Sequence, residues 1–287
     1  MTNTLKAKAK INLFLHVTSR TENNYHNLES IVAFANDIYD IISIKSSNSL
    51  YLTMDGPFSS SLSATDNLIL KAAFCLQNYT NTSYGAHIHL TKNIPVAAGL
   101  GGGSSDAAAV LKLLNNFWKL DITDFTLYNI CAKLGSDIPI CYYGKYSYFS
   151  GKGEIITPIE TTCPKIYALL INPLIATSTQ AVFYNLREEE FSKPFSNRPQ
   201  SFLHLLELIE FLKIQKNDLE KSAIRLVPEI NDIINVLNSQ NGCILSRMSG
   251  SGATCFGLFT SLEEAKHALT TIQKHHGNWW SDVTLLT

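Results

Sequence analysis

The sequence of 287 residues predicts a mixed protein of strands and helices, organised as one large or two smaller domains, on three observations. Apolar residues make up 45% and charged residues 16%, enough for a sizeable core and unlike a disordered chain. Both hydrophobic periods are present: residues 7–17 alternate, whereas Ala107, Val110, Leu111, Leu114 and Phe117 recur at helical spacing. Thr161-Thr162-Cys163-Pro164 breaks the chain just before a fresh apolar run, Ile166 to Ile171, and puts the best domain boundary between residues 162 and 163.

In the first strand Ala7, Ala9, Ile11, Leu13, Leu15 and Val17 alternate with Lys8, Lys10, Asn12, Phe14 and His16. That is the period of a half-buried strand, and it points Lys10 and Asn12 the same way. Thr21-Glu22-Asn23-Asn24 reads as a turn, and strand character returns from Ile38 to Ile44. Asp66-Asn67 precedes a helical stretch from Leu68 to Leu76, and His87-Ile88-His89-Leu90 reads as another short strand. The stretch from Lys92 to Asp106 is a glycine loop that feeds a helix, with Ser104, Ser105 and Asp106 as residue types favoured at a helix start. A helix from about Phe125 to Leu134 leads into Gly135-Ser136-Asp137-Ile138-Pro139, where the proline biases Ile138 towards extended geometry. Tyr148-Phe149 and Ile155-Ile156 are strand-like. Beyond the boundary, residues 184–200 are charged and proline-punctuated, a loop or short helices, and helices follow at Phe202 to Leu212 and Pro228 to Leu237. A glycine turn around Ser249-Gly250-Ser251-Gly252 joins two strands, and a helix from Leu262 to Ile272 closes the chain.

Lys+Arg 23 against Asp+Glu 24 leaves a net charge of −1, without the basic excess that a nucleic-acid scaffold needs. No apolar run is long enough to cross a bilayer, and the stretch from Met1 to Lys6 is polar, without the apolar core expected of a signal peptide. Cys75, Cys131, Cys141, Cys163, Cys243 and Cys255 lie far apart with no C-x-x-C pair, so reduced thiols and a cytoplasmic location are expected.

Gly99-Leu100-Gly101-Gly102-Gly103 places four glycines in five residues. Each costs roughly 0.5–1 kcal/mol relative to alanine, so the density needs an offsetting benefit. Backbone N–H groups freed by glycine at the positive end of a helix make an anion site that suits phosphate. The common nucleotide fingerprints do not match. From Gly99 the pattern G-x-G-x-x-G requires glycine at 104, where Ser104 stands, and Gly151-Lys152 is followed by Gly153 instead of the serine or threonine of a P-loop. A G-x-S-x-G elbow is missed because Gly102-Gly103-Ser104-Ser105 runs on to Asp106.

Phosphoryl transfer needs a phosphate cradle, a carboxylate near the acceptor hydroxyl and a cation near the developing charge. Asp137 and Lys10 are the candidates; their plainer readings are a helix cap or Asx turn and a solvated lysine. Tyr25-His26 is either a base-stacking pair or a surface aromatic pair. His87 and His89 share a strand face with no third ligand type, which favours ordinary strand residues over a metal site. Ser249 to Gly252 either lines the same cleft or is a plain hairpin turn.

Pro95 to Ser105, P-x-x-x-G-L-G-G-G-S-S, and Ser249-Gly250-Ser251-Gly252-Ala253 resemble the phosphate-binding signature and the third motif of the GHMP kinase superfamily. Within it, Ala9 to Leu15, Tyr25-His26-Asn27-Leu28 and Leu134 to Pro139 resemble the branch that acts on a cytidyl diphosphate alcohol. The resemblance implies an α+β fold: an N-terminal ribosomal-protein-S5-domain-2-like domain, residues 1–162, and a C-terminal ferredoxin-like α/β sandwich, residues 163–287, with the active site in the cleft between them. It also implies ATP as co-substrate, with Mg²⁺, held by Pro95, Val96, Ala97, Ala98, Gly99, Leu100, Gly101, Gly102, Gly103, Ser104 and Ser105. The resemblance further implies that the acceptor is the 2-hydroxyl of an erythritol part of the alcohol, with Asp137 as base and Lys10 holding Asp137 and the nascent alkoxide. By the same resemblance Tyr25 stacks on cytosine, His26 reads its polar edge, Phe183 closes the other side, and Asn12 and Thr179 touch the substrate. Ser105 and Asp106 are the only side chains offered for Mg²⁺, without a spacing that singles out either. Asn24 replaces the usual glycine before Tyr-His and tolerates positive φ. Small-molecule partners alone are expected, with neither nucleic acid nor membrane. The rival readings are a homoserine or mevalonate type of kinase and a nucleotide-binding regulator without catalysis.

Overall fold

The structure, a computed structural model, describes residues 3–22, 25–159, 165–196, 198, 200–202 and 204–287. The expected boundary at 162/163 and the turn residues Asn23 and Asn24 lie outside them. In chain order the elements are β1 (Thr4–Asn12), β2 (His16–Arg20), β3 (His26–Lys45), β4 (Leu50–Asp55), α1 (Leu68–Thr80), β5 (Ala86–Thr91) and α2 (Gly102–Phe117). Then come α3 (Asp124–Leu134), α4 (Ile138–Tyr143), β6 (Ser147–Gly151), β7 (Ile155–Pro158), β8 (Ile166–Asn172), α5 (Thr179–Tyr184) and α6 (Leu205–Lys213). The chain ends with α7 (Glu220–Leu226), α8 (Glu229–Asn238), β9 (Leu245–Met248), β10 (Cys255–Phe259), α9 (Leu262–His275) and β11 (Trp280–Leu286). It forms two compact units that each draw on several segments: Met1–Ala9, Ile38–Val96 and Gly101–Gly144 in one, and Lys10–Asp37, Ala97–Leu100 and Lys145–Thr287 in the other.

In the first unit β4 runs parallel to β5, from Leu50 opposite Ala86 to Asp55 opposite Thr91, and β5 pairs antiparallel with the end of β3. Ile42, Ile44, Ile88 and Leu90 are buried, while α2 packs on α1 and α4. Side-chain caps start two helices: Asn67 accepts from the amide of Ile69 at α1, and Thr123 from that of Thr126 at α3. Two expectations are corrected. The helix behind the glycine loop begins at Gly102 with Gly101 as its cap at φ 62°, because only a glycine turns the chain there without strain, and Ser104 to Asp106 lie within the first turns. Ile138 is helical and not extended, since a proline in a first turn has no missing bond to lose.

In the second unit β11, β8, β10 and β9 lie side by side, every pair antiparallel, with α8 before and α9 after the β9–β10 hairpin. This is the β-α-β-β-α-β order of a ferredoxin-like sandwich. Its core joins Leu169, Ile171, Ile230, Ile233, Leu237, Met248, Cys255, Phe259, Ala265, Ala268 and Ile272. The first part of β3 pairs with β2 and β6, and β6 with β7. The first strand is shorter than its alternation suggested, ending at Asn12, and residues 9–16 are buried on both faces, so the half-buried reading fails there. The helix expected from Phe202 begins at Leu205. No helix among the described residues is long and apolar enough to cross a membrane.

Candidate active site

The second unit brings Lys10, Asn12, Ala97 to Leu100, Thr179 and Ser249 to Gly252 together by a run of hydrogen bonds. The amide of Lys10 donates to the carbonyl of Leu100 (2.8 Å), and the amide of Thr254 to that of Ala98 (3.1 Å). Ser249 Oγ donates to the carbonyl of Gly99 (3.1 Å) and accepts from the amide of Asn12 (3.1 Å). Thr179 Oγ1 and Ser251 Oγ are 2.8 Å apart. Gly99 is needed here on two counts. Its φ is +75°, and a Cβ on it would lie 2.4 Å from the carbonyl oxygen of Ser249. Ser249 to Gly252 is therefore a hairpin turn whose backbone is packed on the glycine loop.

These bonds make the loop asymmetric. The carbonyls of Ala98, Gly99 and Leu100 are all taken, whereas no amide from Gly99 to Ser104 has a protein acceptor among the described residues. Lys10 is 2% exposed, far from a solvated surface lysine, and its Nζ lies 6.0 Å from the centre of the Phe149 ring. Asn12 donates from Nδ2 to Ser30 Oγ (2.9 Å), while its Oδ1 is buried without a hydrogen-bond partner among the described residues.

In the same unit the His26 ring lies on Phe183, centroids 4.9 Å apart at 30°. Arg20 Nε donates to His26 Nε2 (3.4 Å), which leaves the ring proton of the neutral imidazole on Nδ1. Burial, and then the positive charge of Arg20, hold His26 below the usual histidine pKa. Tyr25 is 58% exposed with Lys152 Nζ 4.9 Å over its ring, so a large flat aromatic face stands open.

The first unit holds Pro95, Val96, Gly101 to Ser105 and Asp137. Asp137 sits half-buried at the start of α4, yet its side chain makes no helix cap, which removes one of its two plainer readings. A side chain at Gly103 would enter open space, so packing does not require glycine there. Ser105 is buried and donates to the carbonyl of Lys8 (2.8 Å). Asp106 Oδ2 is ion-paired with Lys92 Nζ (2.9 Å), which also pairs with Asp40 Oδ2. Asp40 Oδ1 accepts from the amides of Asn93 (2.6 Å) and Ile94 (2.9 Å), at the entry to the glycine loop. Burial pushes the Asp106 carboxyl up to about 7 against the pull of Lys92, and the charge of Asp40 adds to the rise. Burial alone would lower Lys92, but the attraction of Asp106 and Asp40 outweighs it and leaves the ammonium above its ordinary value. His87 and His89 both meet Thr53 Oγ1 (2.7 and 2.9 Å), and among the described residues no three His, Cys, Asp or Glu side chains could hold a metal ion.

Sequence reasoning missed Asp40, Lys92 and Asn217. The signal for Asp40 was present, a single charge inside the apolar run Ile38-Tyr39-Asp40-Ile41-Ile42; for Asn217 there was none.

The GHMP kinases N terminal domain model matches residues 67–145, and the GHMP kinases C terminal model matches residues 195–278. The chain is 41% identical over 280 residues to 4-diphosphocytidyl-2-C-methyl-D-erythritol kinase of Parvibaculum lavamentivorans, covering 97% of this chain and 96% of that protein. It is 40% identical over 283 residues to the protein of the same name from Rhodospirillum rubrum, covering 98% and 91%. A crystal structure of 4-(cytidine 5'-diphospho)-2C-methyl-D-erythritol kinase matches with a TM-score of 0.78 at 30% identity, over 99% of this chain and 98% of the other. A homoserine kinase from Cytophaga hutchinsonii matches at TM-score 0.68 and 16% identity over 100% and 95%, a likeness of fold alone.

Proposed function

Because the chain belongs to the 4-diphosphocytidyl-2-C-methyl-D-erythritol kinases of the GHMP kinase family, we propose that it moves the γ-phosphoryl group of ATP to the 2-hydroxyl of the erythritol part of that substrate. This places it in the non-mevalonate route to isoprenoids, in the cytoplasm. The two family domains meet after residue 162, between the matched spans 67–145 and 195–278.

One observation carries the reading: from Gly99 to Ser104 the fold leaves the amides without protein acceptors among the described residues while it takes the carbonyls of Ala98, Gly99 and Leu100. Such a loop offers donors, and at the N-terminus of α2 they favour an anion. Residues Pro95 to Ser105 hold the triphosphate. The alcohol oxygen attacks the γ-phosphorus, the bond to the β–γ bridging oxygen breaks and ADP leaves. Asp137 takes the hydroxyl proton and Lys10 stabilises the carboxylate and the forming alkoxide. Tyr25 stacks on the cytosine, His26 presents Nδ1–H to its polar edge, and Phe183, flat on His26, closes the other side. Asn12, through its unpaired Oδ1, and Thr179 contact the substrate.

Mg²⁺ enters with ATP. Of the two side chains offered for it, Ser105 donates to the carbonyl of Lys8, and Asp106 pairs Oδ2 with Lys92 and keeps Oδ1 buried without a hydrogen-bond partner among the described residues, so neither is singled out. Charge stabilisation by the chain itself falls to Lys10 and the loop amides.

ATP consumption by the purified protein should depend on the cytidyl diphosphate alcohol. Asp137→Asn should lower turnover about 10²–10⁴-fold and leave ATP binding intact. Turnover with homoserine or mevalonate in place of the cytidyl alcohol would overturn the substrate, and an active Asp137→Asn variant would overturn the base.

A further inference from the structure

Between α6 and α7 runs a short extended segment that pairs with Leu15: the amide of Leu15 donates to the carbonyl of Lys216 (3.1 Å), and the amide of Asp218 to that of Leu15 (2.8 Å). Asn217 sits between these two bonds and is 5% exposed. Its Nδ2 donates to the carbonyls of both Met248 and Gly250, each at 2.8 Å, and its Oδ1 accepts from the amide of Leu219 (3.0 Å). Both amide hydrogens are thus committed to the residues that flank Ser249. Ser249 Oγ in turn fixes the Gly99 carbonyl and the Asn12 amide.

We propose that Asn217 is a positioning residue for ATP: by clamping both carbonyls beside Ser249 it sets the direction of Ser249 Oγ, which draws the Gly99 carbonyl inward and leaves the loop amides turned to the triphosphate. The proposal rests on the reading that residues 95–105 hold ATP. Contact is tight enough to transmit the constraint, because a Cβ on Gly250 would lie 2.7 Å from the Gly99 carbonyl oxygen. A slackened turn cannot shift without moving the loop. Two neighbours brace the same turn: Glu220 Oε2 accepts from the amide of Met248 (3.0 Å), and Arg247 donates to the carbonyls of Leu13 (2.6 Å), Leu212 (3.0 Å) and Gln215 (2.6 Å). Neither reaches a carbonyl beside Ser249, so the clamp belongs to Asn217.

The test uses Asn217→Asp, equal in shape but with acceptors facing two carbonyl oxygens, and Ser249→Ala, which removes only the relaying hydroxyl. Binding of a non-hydrolysable ATP analogue to the wild-type protein is measured first; its absence would sink the ATP reading and this proposal with it, whereas wild-type binding that both variants leave unchanged would sink this proposal alone. Each variant should then weaken analogue binding about tenfold or more and raise KM for the cytidyl alcohol by less, the latter through the Asn12 amide that Ser249 Oγ also holds. The double variant should be no worse than the weaker-binding single, because both break one relay. Lowering the pH from about 8 to about 5.5 should partly restore Asn217→Asp alone, as its protonated carboxyl regains one donor. Unchanged analogue affinity with a lowered melting temperature, or additive losses in the double variant, would overturn the proposal. Should Asn217→Asp fail to fold, Ser249→Ala decides by the same affinity criterion.

Discussion

Lys92→Met would leave the carboxylates of Asp40 and Asp106 facing one another with no cation between them. All three side chains are at most 3% exposed, so water cannot replace the missing charge. Removing one partner of a buried ion pair costs about 3–5 kcal/mol, and here two carboxylates lose the same partner, which puts the loss towards the upper end. At roughly 2–4 °C per kcal/mol for a chain of this size, the melting temperature should fall by about 6–20 °C near pH 8. The sign with pH follows from Asp106. Its carboxyl stands at about 7 with Lys92 present and rises further without it, well above the unfolded value of about 3.9. A carboxyl raised in the fold stabilises fully below its unfolded pKa, and that contribution is lost as pH climbs through the folded pKa. The deficit of the variant should therefore be small near pH 5 and grow towards pH 8. Urea unfolding of both proteins at several pH values reads it directly, and adding Asp106→Asn should flatten the growth. A deficit that is equal at all pH values, or below about 1 kcal/mol at pH 8, would refute the ion cluster as the support of the loop entry.

Gly99→Ala and Gly103→Ala should part company: the first meets the Ser249 carbonyl oxygen at 2.4 Å and should lower stability, whereas the second enters open space. Gly103→Ala should melt at or slightly above the wild-type temperature yet raise KM for ATP severalfold, because the added methyl lies where the phosphates approach. An unchanged KM would remove Gly103 from the cradle. For His26, burial and then Arg20 lower the pKa, so the neutral ring is the folded form and its contribution, present above about pH 6.5, is lost as pH falls through the depressed value. KM for the cytidyl alcohol should accordingly rise in mild acid while KM for ATP does not, and His26→Gln should abolish the rise.

Elements with one apolar stripe or one clear break were legible in the sequence. α3 and β8 lie where their spacing and flanking residues placed them. The failures share a cause. Ile31 to Ala35 are buried on both faces and carry no alternation, so most of β3 before Ile38 went unseen, while in residues 9–16 the alternation is present but both faces are buried, so it does not report exposure. Lys10 and Asn12 looked like a solvated face because polarity normally reports exposure; in this strand it reports chemistry placed inside the fold. α4 was hidden by Pro139, whose effect on the preceding residue is overridden when the proline falls in a first helical turn.

The site was legible as far as its chemistry is local in the chain. Four glycines in five residues announce a backbone that must bend and be approached, and they do so without reference to anything distant. What holds that backbone in shape comes from far away: Ser249 reaches Gly99 across 150 residues and Asn12 across 237. No spacing rule links such positions, since the hydrogen bonds arise only once β1, the β9–β10 turn and the segment after α6 have folded. Asn217 is the extreme case. An asparagine in Lys216-Asn217-Asp218 has the composition of an exposed turn, and only burial together with two carbonyls in reach of one amide shows that it works inside. A loop of glycines has little stiffness of its own, so the fixed direction of its amides must be imposed by residues outside it. That requirement is why the glycine loop could be read from sequence while its supports could not.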